Sequence, residues 1–331
     1  MPAALRPSVP LVASSVPRAA RVPPPAEPSA RTLPRRAAQG LPRRAARLLL
    51  RLGLVALLLL AGACSSLKLG YDEGPRLARW WLDREFDLDS RQQARLRAAI
   101  DELFAWHRRE ALAPLGVTLG HIRAGLTGPI DAARVCGWQD ELGRHADLAF
   151  EHALPALADL AATLAPRQID RFERRAAERL ADDRADWLPP DPARQRERAG
   201  KRAIDRAEDY TGRLDREQRR WLTDATAALP VGPAERLDER ERRNTALAAT
   251  LRRIAGGQLA PEAARAALRE RWNELFMPAD PARASRHRLG KESGCELVAS
   301  LHNRLAPSQR RAASERFGQW EDDVRELARQ P

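Results

Sequence analysis

The chain has 331 residues, with 57 Lys and Arg against 45 Asp and Glu, a formal net charge of +12 and three cysteines. Ten of those arginines and one acidic residue lie before residue 64, leaving 47 basic against 44 acidic side chains beyond it. That near-balance excludes nucleic acid as a partner, since phosphate binding needs a surplus of cations on one face.

In chain order, residues 1–42 hold ten prolines and a single acidic residue, Glu27, with no helical or alternating apolar period. Such a segment cannot bury enough surface to offset its ordering entropy, so a disordered extension is expected. Residues 43–63 follow as a targeting signal. The cationic Arg43, Arg44, Arg47 and Arg51 precede an apolar run from Leu52 to Ala63, which is short of the ~20 residues a spanning helix needs. The end of this run, Leu60-Ala61-Gly62-Ala63-Cys64-Ser65-Ser66, resembles the lipobox of bacterial lipoproteins, with Ala61 where leucine is usual.

That resemblance implies cleavage before Cys64 and lipidation of its thiol, an anchor well beyond the two signals stable attachment needs. Ser65 implies sorting to the outer membrane, on its periplasmic face. The alternative is ordinary cleavage after Ala61-Gly62-Ala63 and a soluble periplasmic product. An oxidising compartment would permit a disulfide between Cys136 and Cys295. Two buried thiols remain the other reading of that pair.

Beyond a short tether at residues 64–74, residues 75–329 read as an all-α, multi-helix array, with a subdivision near 189–192. Leu96, Ile100, Leu103 and Phe104 recur at helical spacing, as do Ile169, Phe172, Ala176, Leu180 and Trp187, and then Ala313, Phe317, Trp320, Val324 and Leu327. Breaks are expected at Pro114, Gly128-Pro129, Pro189-Pro190, Pro230, Gly256-Gly257 and Pro278 to Pro281. Basic and acidic residues interleave, as in Arg171-Phe172-Glu173-Arg174, the pattern of solvated helix faces.

One helix start recurs: Leu88-Asp89-Ser90-Arg91-Gln92, Leu164-Ala165-Pro166-Arg167-Gln168, Leu214-Asp215-Arg216-Glu217-Gln218 and Leu305-Ala306-Pro307-Ser308-Gln309. A weaker copy, Leu259-Ala260-Pro261-Glu262-Ala263, lacks the Gln. In this pattern Leu is a hydrophobic staple, Asp89 or Asp215 caps, and Gln at the third helical position reaches back to the cap N–H. Proline replaces the cap chemistry in the other copies, at a position where its missing N–H costs nothing.

These starts resemble degenerate LTxxQ motifs of the periplasmic chaperone Spy and its relatives, small helical cradles for unfolded clients, with Asp or Ala in place of Thr. The chain from about residue 64 to 329 is also similar to a family of uncharacterised proteobacterial lipoproteins. That similarity rests on Cys64-Ser65-Ser66-Leu67-Lys68-Leu69-Gly70-Tyr71, Trp80-Trp81-Leu82, the Gln92 start, Trp106-His107-Arg108 and the closing Leu305 to Gln309. It implies an address and a fold, without an activity.

Six histidines are scattered, and only His145 and His152 fall on one helix face, about 10 Å apart and too far for one metal without other ligands. Asp182-Asp183 and Asp322-Asp323 read as solvated. No GxSxG, HExxH or GxxxxGK[ST] occurs after Cys64. No enzyme, cofactor or metal is therefore expected. Trp80, Trp81 and Trp106 read as packing residues, although Trp80-Trp81 could also form an interfacial belt and Trp106 a ligand patch. The expected protein is membrane-attached through the lipid on Cys64 and binds a polypeptide partner or client; a structural or assembly scaffold is the alternative.

Overall fold

A computed structural model describes residues 66–330; the expected extension, signal and Cys64 lie outside the described residues. The first helices are α1 (Ser66–Phe86), α2 (Ser90–Trp106), a π-turn (His107–Ala111), α3 (Leu112–Gly125), α4 (Ala132–Ala161) and α5 (Pro166–Trp187). After them come α6 (Pro192–Thr211), α7 (Arg216–Ala227), α8 (Pro233–Ala255), α9 (Pro261–Asn273), α10 (Pro281–Arg304) and α11 (Pro307–Leu327). The described residues contain no strand, so the fold is an all-α multi-helix array.

Residues 66–74 are not a tether but the first turns of α1. Gly70, Gly74 and Pro75 disfavour helix locally, yet Leu67 and Tyr71 pack onto the cluster of Leu112, Leu119, Val324 and Leu327. Gly74 lets the Phe104 ring close in, since a Cβ there would sit 2.8 Å from it. Tertiary packing overrides propensity at this site.

The four Leu-x-x-x-Gln starts come together as two pairs. At the start of α2, Asp89 accepts hydrogen bonds from the backbone N–H of Arg91 and Gln92, while Gln92 Oε1 accepts from Asp89 N–H at 2.9 Å. Gln168 Oε1 likewise accepts from Ala165 N–H at 2.8 Å. Each amide then reaches across: Gln92 Nε2 donates to Gln168 Oε1 and to the Thr163 carbonyl, and Gln168 Nε2 donates to Gln92 Oε1 and to the Asp87 carbonyl.

The starts of α7 and α11 repeat this arrangement. Gln218 Nε2 donates to Gln309 Oε1 and to the Arg304 carbonyl, and Gln309 Nε2 donates to Gln218 Oε1 and to the Arg213 carbonyl. In every copy the carbonyl used is the residue before the partner's leucine, and Leu88, Leu164, Leu214 and Leu305 are all buried. A primary amide has two donors and an oxygen with two lone pairs, so each of the four glutamines is fully satisfied.

This correspondence extends along the chain. Helix α1 ends with Asp87 at φ 55, and α6 ends with Gly212 at φ 70, the left-handed position that stops a helix. Leu88 N–H donates to Asp83 and Leu214 N–H to Glu208. The series α1 to α5 therefore matches α6, α7, α8, α10 and α11, with α9 unmatched.

The two series interlock, because α3 packs on α11 of the other series while α8 packs on α5, and α4 and α10 pack on each other. The boundary at residues 189–192 thus separates two helical series and not two bodies; the described residues 66–330 lie in one compact unit. The largest core cluster draws on both series, from Phe86, Leu96 and Ile100 through Leu154, Ile169 and Phe172 to Ala248, Leu251 and Ile254.

Cys136 on α4 and Cys295 on α10 are bonded, with Cα atoms 5.6 Å apart, across the contact where the series meet. Asp323 also departs from the sequence reading: it is buried beside Glu321, whereas Asp322 is exposed. Glu321 is held by Arg325 and by Arg123 Nε at 2.8 Å, so α11 turns Glu321 toward α3.

Gln92→Ala should strip four hydrogen bonds from a buried position and destabilise the fold by about 2–3 kcal/mol. Gln168→Ala added to it should cost much less than a second such increment, because both remove the same pair. Urea unfolding of the two single variants and the double variant measures this coupling. Reducing the disulfide, which closes a loop across 159 positions, should cost about 5 kcal/mol in the chain-entropy model. The drop in melting temperature with reductant, absent from a Cys136→Ala/Cys295→Ala chain, reads it.

Candidate functional site at the π-turn

Pro114 does not break the chain as its sequence suggests; it lies inside α3. A proline at this position would clash with the carbonyl four residues back. The backbone instead widens into the π-turn, where Leu112 N–H donates to the His107 carbonyl, five residues earlier. Such insertions are frequent at functional sites. This one changes the helical register just after Trp106-His107-Arg108, beside the middle of α4.

Four helices supply the surrounding side chains. Tyr71 of α1 places its Oη 3.1 Å from His107 Nδ1 and 3.5 Å from the Phe104 carbonyl oxygen, and its ring packs against Phe104 at 5.3 Å. The Arg108 guanidinium lies 5.6 Å from the Tyr71 ring centroid and 3.7 Å from Asp72. Trp106 stacks on His152 of α4, centroids 4.2 Å apart and planes within 9°, and donates its Nε1–H to Glu110 at 2.9 Å. His145, two turns earlier on the same face of α4, has Nε2 2.9 Å from Oγ1 of the buried Thr118.

Burial pushes the His107 imidazole below its usual pKa, and the neighbouring His145 pushes it the same way. Burial also lowers His145, with Arg144 adding to it and Glu141 opposing. The Tyr71 phenol is raised by burial, partly offset by Arg108. At neutral pH the Tyr71, His107 and His145 rings are therefore uncharged, with Arg108 and the exposed Arg109 beside them.

Two hydroxyl–imidazole pairs are present, but Thr118 is buried, and neither of two open concavities, of about 420 and 380 Å³, is lined by any member of either pair. One concavity runs past Thr127, Pro307 and Ser314, and the other past Ala266, Asn273 and Met277. Among the described residues no three His, Cys, Asp or Glu side chains converge as metal ligands. What the arrangement offers is an aromatic surface. Leu148, 58% exposed, lies on the α4 face that carries His145 and His152, three and four residues from them.

Sequence spacing paired His145 with His152, and Trp106 beside His107 was the alternative ligand patch, but neither reading included Tyr71, Phe104 or Thr118, which join them only through packing. Pro114, close after Trp106-His107-Arg108, was a second local signal. The glutamine starts, by contrast, are structural joints, and they lie away from this patch in the chain. Trp80 and Trp81, read as packing residues, are 55% and 49% exposed.

Because His107 and His145 are depressed in the folded state, the unfolded chain binds protons first as pH falls below ~6.5, so stability should fall from there toward the folded pKa values. His287 and His302 are depressed as well and add to the slope. Melting temperatures between pH 7.5 and pH 5 should decline, and His107→Gln should make that decline shallower.

No curated protein and no solved structure matches the chain. A family match covers residues 84–276, from the end of α1 past the end of α9 and so across both helical series. With more than half its length matched, the chain belongs to the family described as "Family of unknown function (DUF6279)".

Proposed function

We propose that this protein is a periplasmic lipoprotein, tethered to the outer membrane through Cys64, that binds envelope polypeptides on its helical surface without catalysis. The observation that carries this reading is the patch of Leu148, the Trp106–His152 stack and the neighbouring Tyr71 and His107 rings. Aromatic groups with an exposed leucine and a cationic rim suit an extended segment bearing apolar and aromatic side chains. The resemblance of the helix starts to the Spy motif supports the same class of ligand.

Docking through a flat charged face has less support, because many charges on the long helices are spent internally. Arg184 of α5 bonds Asp238 and Glu241 of α8, Arg252 of α8 bonds Asp170 and Glu173 of α5, and Arg240 pairs with Asp183.

The binding test follows light scattering as a urea-denatured polypeptide is diluted into buffer with an equimolar amount of the full chain. The chain should suppress aggregation, and Leu148→Asp should lose about half of that effect or more. Equal scattering with and without the chain would refute the client reading. Separately, the intact mass of the membrane-purified protein should equal residues 64–331 plus a lipid increment, absent from Cys64→Ala. A mass retaining residues before Leu48 would refute the tether.

A further inference from the structure

Helix α1 is apolar on two sides. Its inner side carries Leu67, Tyr71, Ala78, Leu82 and Phe86, which pack into the core clusters. Its outer side carries Leu69, Leu77, Trp80 and Trp81, at 62%, 51%, 55% and 49% exposure. At 3.6 residues per turn these four fall within an arc of about 120°, extended over roughly 18 Å of helix. Arg76 and Arg84 are exposed on the same side, and the Arg84 guanidinium lies 5.2 Å from the Trp80 ring centroid. Glu73 shares the arc but is half-buried and paired with Arg76 at 2.5 Å.

The fold supplies an internal comparison. Helix α6 occupies the matching place in the second series and packs inward with Ala203, Ile204 and Ala207. Its outward positions include Arg194, Glu197, Arg198, Lys201, Asp205 and Asp209, all exposed, with Lys201 and Asp205 paired at 2.5 Å. The architecture therefore does not require an apolar outer face at this place. Leucine and tryptophan on α1 serve something outside the fold.

We infer that the outer face of α1 lies in the headgroup–acyl boundary of a lipid bilayer, with Leu69, Leu77, Trp80 and Trp81 inserted and Arg76 and Arg84 at the phosphates. This rests on the proposed tether at Cys64. The sequence sets that cysteine two residues before Ser66, so an acyl anchor there holds the first turn of α1 within about 7 Å of the membrane surface. A helix face of tryptophan and leucine edged by arginine is the chemistry of an interfacial helix, in which indole rings sit at headgroup level and guanidinium groups reach phosphate. No helix of the described residues is long and apolar enough to cross a membrane, so α1 lies along the surface.

The test reconstitutes the full chain, its lipid state established by intact mass, into phosphatidylethanolamine–phosphatidylglycerol vesicles containing lipids brominated near the top of the acyl chain. Bromine should quench tryptophan emission, and Trp80→Phe/Trp81→Phe should reduce the quenching about threefold or more. Both rings are exposed, so the variant should keep the wild-type melting temperature. Leu77→Asp should weaken quenching of the wild-type tryptophans by withdrawing the face.

Quenching that is absent, or equal in wild type and the double variant, with the lipid mass present would overturn the inference and leave the tether standing. Quenching of an unlipidated chain, lost in the double variant, would support the α1 face while removing the tether. A dimer in light scattering that dissociates on Leu77→Asp, with no quenching, would assign the face to a second copy and overturn the membrane role.

Discussion

The fold depends on a constraint met twice: a glutamine three residues into a helix caps its own helix through its oxygen and grips another through its nitrogen. Gln92 with Gln168, and Gln218 with Gln309, each form a closed pair of reciprocal amide bonds. The helix termini that would otherwise leave backbone groups unsatisfied in a buried place become the points at which helices meet. Because each amide also takes the carbonyl preceding the partner's leucine, the joint fixes the angle at which the connecting chain enters. Buried leucines close each joint from the apolar side, leaving Gln309 of the second joint half-buried.

From these joints the interlock follows. Each pair binds the second and last helices of one series, α2 with α5 and α7 with α11, leaving the third helix of each free to lie on the other series. Helix α3 then packs on α11 and α8 on α5. Each third helix packs most extensively on the other series, so the core is shared between the two. Cys136–Cys295 adds a covalent bond between α4 and α10, which are themselves matching helices of the two series. The joints set local geometry, the exchange makes the whole one unit, and the disulfide limits how far the unfolded chain can separate them.

The helices and their starts were legible in the sequence because both are local: amphipathic periods and cap spacings lie within a few residues. Asp89 and Asp215 cap as their positions require, and prolines 166, 261 and 307 open helices at the first turn. The sequence could not show that the glutamines find one another, since the partner of Gln92 lies 76 residues away. Pro114 misled for a physical reason: a proline can be accommodated by widening the turn before it as well as by ending the helix. Trp80 and Trp81 misled because aromatic residues at helical spacing are as apolar outside a fold as inside it. Residues 66–74 misled because two glycines and a proline argue against helix, while the packing of Leu67 and Tyr71 argues more strongly for it. The aromatic site suffers from the same limit as the glutamine pairs, joining α1, the π-turn and α4 from three parts of the chain.

Repetition also separates what the fold needs from what it does not. Features shared by matching helices, such as the glutamine pairs, the buried leucines, the left-handed residues ending α1 and α6 and the inner apolar faces, answer to folding. The unmatched α9 also answers to folding, through its buried Ala264 and Leu268, but two other features held by one copy alone do not. The π-turn interrupts the α2–α3 connection, whereas α7 and α8 are joined by a loop containing Pro230 and Gly232. The tryptophans of α1 face outward where α6 carries charges. Both single-copy features lie in the first series, and Tyr71 belongs to both neighbourhoods, since it sits on α1 and contacts His107 of the π-turn. A helix whose outer face and inner face each hold a feature its counterpart lacks links the end of the chain proposed to carry the tether to the aromatic surface. The second series supplies the remainder of the frame, with α11 packed behind α3.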